Sequence, residues 1–329
     1  MKVIAWCLCL VVAAGAPSPA FAYLKFGVRI SSGEVVDVKW SRTIPYFVTE
    51  RGIPGVSATQ LRDVVTRAFA TWQSAPNTSL QSQFQGFTGA PPTLRDQRTT
   101  LGFLDRFDLD RVLGATSFLL DARTGEVLEA DVFFNTRFDW SVAASGESGR
   151  VDLESVALHE IGHLLGLSHS ALGETEMIQG GRRVVASGAV MFPIALSAGS
   201  IGDRQLQADD VAGIADLYPS ASFTTETSSI SGRITKNGSG VFAAHVVAAN
   251  LDTGELVGGF ALNDDGEYVI AGITPGVYVL RVEPLDDADI ESFFSGPVDI
   301  DFRVTYGRQV VVAPAGGGSD RMDIQVNPK

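Results

Sequence analysis

The segment His159-Glu160-Ile161-Gly162-His163-Leu164-Leu165-Gly166-Leu167-Ser168-His169 carries the most information in this chain. His159 and His163 stand four residues apart, so on an α-helix their rings leave from one face. Leu153, Ala157, Ile161 and Leu164 fall on a different face, which can pack into a core. A helix is expected from about Asp152, a good N-cap residue, to about Leu165. Continued further, it would carry His169 away from the other two histidines. Gly166 can take the positive φ that ends a helix and turns the chain, and this turn brings His169 back to the same point. Three neutral imidazoles with one open position make a catalytic rather than a structural zinc site. The chain has four histidines, and three occupy these positions. The fourth, His245, lies in an apolar stretch and reads as a strand residue with a local hydrogen bond.

The chemistry follows from the ion. Zinc lowers the pKa of its water toward roughly 7 and polarises a carbonyl. Glu160, next in sequence to the first ligand, is placed to act as the general base and to pass the proton to a leaving amine. No covalent intermediate is needed. One catalytic Zn2+ per chain is therefore expected, with peptide-bond hydrolysis in proteins or peptides as the reaction.

The rest of the chain fits a secreted protein. Its 329 residues are 45% hydrophobic, enough for two cores of ordinary size. A net charge of −13 argues against nucleic acid and anionic membrane surfaces as partners. Residues 1–22 read as a signal peptide: Lys2, a short apolar run from Val3 to Ala14, and Ala20-Phe21-Ala22 as the cleavage site. Secretion follows, with the extracellular space or a periplasm as the destination. No later stretch is apolar and long enough to span a membrane. Cys7 and Cys9 both lie inside the signal, so the expected mature chain has neither a disulfide nor a thiolate ligand.

Several elements can be placed from periodicity. Residues 35–48 are rich in β-branched and aromatic residues and read as strand material. Ser57-Ala58-Thr59-Gln60 is a capping-box pattern, followed at helical spacing by Leu61, Val64, Val65, Ala68, Phe69 and Trp72. Phe84, Phe87 and Leu101–Leu104 mark further strands. Leu113–Leu120 and Val127–Phe134 flank a Gly-containing loop and suggest a hairpin. A last helix covers Gln207 to Tyr218 and is stopped by Pro219. Residues 220–228 are polar and read as a linker. Beyond them, short strands alternate with turn signals such as Asn237-Gly238, Asp264-Asp265-Gly266 and Thr274-Pro275-Gly276, a pattern that suggests a β-sandwich over 229–329. The fold class is α+β followed by a small all-β domain.

The long histidine pattern is the zinc signature of the metzincin metallopeptidases. Within them residues 23–219 resemble the matrixins, the matrix-metalloproteinase family. Ser170 after the third histidine, Val190-Met191-Phe192-Pro193 and the helix Leu206–Pro219 carry the likeness, with Ala130–Asn135 and the helix ending at Trp72 in support. The resemblance implies a twisted mixed sheet with helices above a cleft, a lower subdomain after Gly166, and Met191 as a Met-turn beneath the metal. It also implies an edge strand that pairs with extended substrate, for which Leu113–Leu119 is the candidate, with Gly114, Ala115, Thr116 and Pro193 as substrate contacts.

Departures from the family are equally informative. A cysteine switch is not expected, because the mature chain has no cysteine. No second, structural zinc is expected, since residues 1–158 contain no histidine. Pro193-Ile194-Ala195 replaces the family's Pro-x-Tyr, so the wall of the pocket beyond the scissile bond differs. Ca2+ is a candidate at Asp121 or Asp131, against the plainer reading of turn and strand-end carboxylates.

Residues 228–283 resemble a second family, the carboxypeptidase-regulatory-like (transthyretin-like) domains. Ser231-Gly232-Arg233-Ile234, Asp252-Thr253-Gly254, Asp264–Tyr268 and Gly272–Tyr278 carry that likeness, which implies an accessory, non-catalytic sandwich. The acidic run Asp286-Asp287-Ala288-Asp289 reads as a solvated loop. The alternative to an enzyme is a secreted binding or adhesion protein whose sandwich holds a surface or glycan ligand. The retained Glu160 counts against it.

Overall fold

The computed structural model describes residues 24–178, 181–285, 290–294 and 296–329. The expected signal segment with Cys7 and Cys9, and the acidic run at 286–289, lie outside the described residues.

Helix α1 (Ala58–Gln73) begins at a capping box: Ser57 Oγ accepts from Gln60 N at 3.2 Å, and Gln60 Oε1 accepts from Ser57 N at 2.9 Å. Its buried face is Leu61, Val64, Val65, Ala68, Phe69 and Trp72, the set the helical spacing predicts. That face covers a five-stranded sheet of β1 (Ile44–Thr49), β2 (Ser82–Thr88), β3 (Thr100–Leu104), β4 (Gly114–Leu120) and β5 (Val127–Asn135). Phe69 stacks on Tyr46 of β1 with ring centroids 4.3 Å apart. The order is β2-β1-β3-β5-β4. The first four strands of that order run parallel, and β4 is antiparallel to β5 at the edge. Parallel neighbours require a crossover, which α1 supplies between β1 and β2. The β4–β5 hairpin closes through Asp121–Glu126, with Gly125 at φ +77°.

Residues 35–48 are not continuous strand. Val35–Asp37 forms a short strand, and the sheet begins only at Ile44. Between them Trp40 is drawn elsewhere: its Nε1 donates to Leu164 O at 3.0 Å, and its N donates to Tyr218 Oη at 3.1 Å. The demand for a partner at both groups takes the chain off the sheet.

Helix α2 (Leu153–Leu164) packs on α1, with Trp72 Nε1 donating to Leu158 O at 2.9 Å. An antiparallel pair, β6 (Gly173–Ile178) and β7 (Gly181–Ser187), follows it, and then helix α3 (Ala208–Leu217). The stretch read as a linker is folded: it carries a short helix at Phe223–Glu226, and Ser222 Oγ donates to Asn77 Oδ1 at 2.9 Å.

Beyond it lie β8 (Ser228–Lys236), β9 (His245–Asn250), β10 (Leu256–Phe260), β11 (Glu267–Ile273) and β12 (Gly276–Glu283), with shorter strands. They form two five-stranded sheets. One is built on β8 and β11, with Ser239–Gly240, Gly317–Gly318 and Ile324–Val326; the other runs β10-β9-β12, with Thr305–Tyr306 and Val311–Ala313. Alternate residues of both, Ile230, Ile234, Tyr268 and Ile270 against Val246, Ala248, Leu280 and Val282, are buried in one core. That core is continuous with α2 and α3. Gly272, at φ +70°, lets β11 close on α3, where a side chain would run 2.7 Å from Ala212 O.

Asp121 forms an ion pair with Arg123 at 2.7 Å across the hairpin turn. Asp131 is buried on β5 and accepts from Thr100 N at 2.8 Å through Oδ1, while Oδ2 has no hydrogen-bond partner. Among the described residues, neither belongs to a group of three or more metal-ligating side chains. Burial pushes the Asp131 carboxyl up to about 7, against the Thr100 N–H that lowers it. A carboxyl raised in the folded state contributes stability that is complete below its unfolded value and is lost as pH rises through about 7. Asp131→Asn keeps the acceptor for Thr100 and removes the titration. Between about pH 5 and about pH 8, urea unfolding should show the variant gaining about 2 kcal/mol on the wild type. Parallel pH profiles for the two proteins would contradict this.

Candidate metal centre

Asp152 caps α2, its Oδ2 accepting from Ser155 N at 2.9 Å, and Arg204 pairs with the same carboxylate. The helix ends in a Schellman motif: Leu167 N donates to Gly162 O at 3.0 Å and Gly166 N to His163 O at 2.7 Å, with Gly166 at φ +106°. A side chain at 166 would collide with the Val38 carbonyl. The last carbonyls of the helix find donors outside it, Leu164 O in Trp40 and Leu165 O in the Tyr218 hydroxyl at 2.6 Å. Residues 166–168 then run beside 24–26, with Phe26 N donating to Gly166 O at 2.9 Å and Ser168 N to Leu24 O at 2.7 Å. The approach to His169 is thereby set on both sides.

The three rings converge. One nitrogen from each of His159, His163 and His169 lies within 4.8 Å of the others. All three Nε2 atoms are buried without a hydrogen-bond partner. Each Nδ1 meets a backbone carbonyl: His159 meets Val190 O at 2.7 Å, His163 meets Leu167 O at 2.8 Å, and His169 meets Ser292 O at 2.7 Å. An Nδ1–H donated to a carbonyl leaves the lone pair on Nε2, facing the other rings. Burial also lowers the pKa of every ring: His159 to about 3, with His169 adding to the fall; His169 to about 4; and His163 well below its ordinary value. At neutral pH all three rings are neutral. Three converging imidazole lone pairs, orphaned by the protein, are the donor set of a zinc site, and these residues fit that ion.

Met191 is buried against α2 at Gly162, between His159 and His163. A Cβ at Gly162 would run into Met191 Sδ and come within 2.8 Å of Trp72 Cζ2. The turn at Met191 is held by Asp210, in the first turn of α3, which accepts from Val190 N at 2.8 Å, Met191 N at 3.1 Å and Gln207 N at 2.9 Å. Neighbouring Asp209 accepts from Ser170 Oγ at 2.6 Å and from Gly258 N of β10 at 2.7 Å. Burial raises both carboxyls, Asp210 to about 7 with the charge of Asp209 adding to it.

Glu160 is wholly buried beside the rings, and Thr116 Oγ1 lies 2.9 Å from both its carbonyl and its Oε2. Gly114 faces the same group: a Cβ there would stand 3.2 Å from Glu160 Cγ. Ala115 does not, because side chains alternate along a strand, and it packs with Val112 and Phe133 on the other face. Pro193 is buried and does not line the cavity beside His159. Val156, Val190, Phe192, Ala195 and Leu196 supply that wall. Asp209, Asp210 and Ser292 were not legible as site residues. Two adjacent carboxylates in the first turn of α3 were the one available signal for the aspartates. Ser292 acts through its backbone, which no residue identity reports.

Gly162 gives a direct check on this packing. Gly162→Ala should cost about 1–3 kcal/mol in chemical denaturation, because Met191 or Trp72 must move to admit the methyl. Unchanged stability would mean that Met191 is not held against the helix.

Residues 39–219, more than half of the chain, match the family model for matrixin. Metalloendoproteinase 1-MMP of Arabidopsis thaliana is 32% identical over 186 residues, which is 55% of this chain and 44% of that protein. Matrix metalloproteinase-16 of Rattus norvegicus is 29% identical over 159 residues, 47% of this chain and 26% of that protein. Karilysin of Tannerella forsythia is 27% identical over 180 residues, 55% of this chain and 33% of that protein. The matches thus span less than half the length of each of these relatives. Its histidine cluster, the buried turn at Met191 and this match agree: the chain belongs to the matrixin family.

Proposed function

We propose that this protein is a secreted zinc-dependent endopeptidase, with His159, His163 and His169 as the metal ligands and Glu160 as the general base. One observation carries the reading: three buried, neutral, unpartnered imidazole nitrogens converge beside a carboxylate on the helix that bears two of them. The matrixin relatives support it, the Arabidopsis thaliana protein among them being named a metalloendoproteinase.

Zinc held at these nitrogens supplies a Lewis acid that polarises a carbonyl oxygen and makes water a usable nucleophile near neutral pH. The chain supplies the rest. Glu160 takes the proton of the attacking water on its carboxylate and delivers it to the departing amide nitrogen. Thr116 orients that carboxylate through its hydroxyl. Edge strand β4, at Gly114–Thr116, offers backbone groups to an extended peptide. The cavity lined by Val156, Val190, Phe192, Ala195 and Leu196 receives the side chain after the scissile bond. Met191 forms the floor beneath the ligands. The pattern of Lys2, the apolar run and Ala20-Phe21-Ala22 supports export, and the two-sheet region is read as an accessory carboxypeptidase-regulatory-like domain.

Purified full-length protein should hold about one zinc per chain and cleave unfolded casein. Glu160→Gln should keep the zinc and lose about 100- to 10,000-fold in cleavage rate. Wild-type rates from the zinc-loaded variant would refute the assignment of the base.

A further inference from the structure

The two-sheet region is not a bystander to the metal centre. His159 and His163 take their Nδ1 partners from residues 190 and 167, inside the matched family region 39–219. His169 takes its partner from Ser292, which lies 123 residues further along the chain and outside that region. We infer that the segment Ile290–Phe294 is a positioning element of the metal centre, in which the Ser292 carbonyl sets the tautomer and orientation of the third ligand.

The segment is wedged rather than laid on the surface. Phe293 meets the His169 ring edge-on with centroids 6.0 Å apart and packs against Phe192 and Ile194, just past the turn at Met191. On its other side it meets Phe260 of β10 at 6.1 Å, within a cluster that includes Leu24, Leu262 and Leu285. The two parts of the chain also meet in a buried apolar cluster of Leu172, Ala189 and Val247. Asp209 ties Ser170, the residue after the ligand, to the backbone of β10 at Gly258. A side chain at Gly258 would stand 2.7 Å from His245 Nε2 and 3.3 Å from Leu172 Cγ, so glycine is what permits this approach. The position of the Ser292 carbonyl is therefore determined from both sides.

The physical consequence is specific. A ligand histidine whose Nδ1–H is anchored presents its Nε2 lone pair in a fixed direction, and losing such an anchor costs about 10- to 100-fold in metal affinity. This inference rests on the zinc reading above, and the experiment separates the two. Zinc binding by wild-type full-length protein tests that reading alone. Phe293→Gly then removes the wedge, whereas Phe293→Leu keeps apolar bulk at the position.

Zinc affinity is measured by competition with a chromophoric chelator, and the ligand field by visible absorption of cobalt-substituted protein. The expected result is zinc affinity about 10- to 100-fold weaker in Phe293→Gly, with an altered cobalt spectrum and near-wild-type behaviour in Phe293→Leu. Wild-type affinity and spectrum in Phe293→Gly would overturn the inference. If that variant does not fold, nitrogen-15 histidine labelling of zinc-loaded wild type decides. An exchange-protected Nδ1–H on His169, as on the other two ligands, supports the proposal, and its absence on His169 alone overturns it.

Discussion

Three imidazole Nδ1 atoms, each facing one backbone carbonyl, are the constraint on which the remainder of this structure turns. The bond decides which nitrogen keeps its lone pair and where that lone pair points. Each of the three carbonyls needs its own piece of architecture. Leu167 O exists in the right place because Gly166 ends α2 at φ +106°. Val190 O is placed by a turn whose amides are held by Asp210. Ser292 O arrives from the connection between β12 and Thr305–Tyr306 in the two-sheet region, beside Phe293. Sheet, helix, turn and β-region thus meet at one point.

The arrangement carries an energetic cost that explains its rigidity. An unsatisfied buried polar atom costs roughly 1–3 kcal/mol, and three of them are a large fraction of a typical folding stability of about 5–15 kcal/mol. Burial keeps the rings neutral, which avoids the larger cost of buried charge. Under the zinc reading proposed above, metal binding offsets what remains, since apparent binding energies of structural zinc reach about 10–16 kcal/mol in small peptides. The scaffold around the rings is correspondingly over-determined. Trp72 and Trp40 each donate to a carbonyl of α2 and Tyr218 to that of its C-cap Leu165, so the helix bearing His159 and His163 is fixed at its middle and its end.

Much of this could be read before any coordinates. The buried face of α1 is the six residues that helical spacing selects, because an amphipathic helix on a sheet has one way to bury its stripe. The limits of α2, the hairpin at Asp121–Glu126 and the turn at Gly166 follow from local chemistry that belongs to residue type. What escaped was set by packing between distant parts. Trp40 leaves the strand pattern, its indole N–H donating to Leu164 O at the end of α2 and its backbone N–H to the Tyr218 hydroxyl. The cavity beside His159 is lined by Phe192 and Ala195 on either side of Pro193 rather than by Pro193 itself. The segment read as a linker carries a short helix and is tied by Ser222 to Asn77, 145 residues away in sequence. The Ser292 carbonyl would be present with any residue at that position, so no sequence pattern announces it.

The central claim is that His159, His163 and His169 bind one zinc and leave a position open for chemistry. Zinc-edge X-ray absorption on the purified full-length protein tests it most directly. The account predicts three imidazole nitrogens at about 2.0–2.1 Å with one further oxygen donor from solvent. A protein that binds no zinc, or whose spectrum shows fewer than three imidazoles, would contradict it.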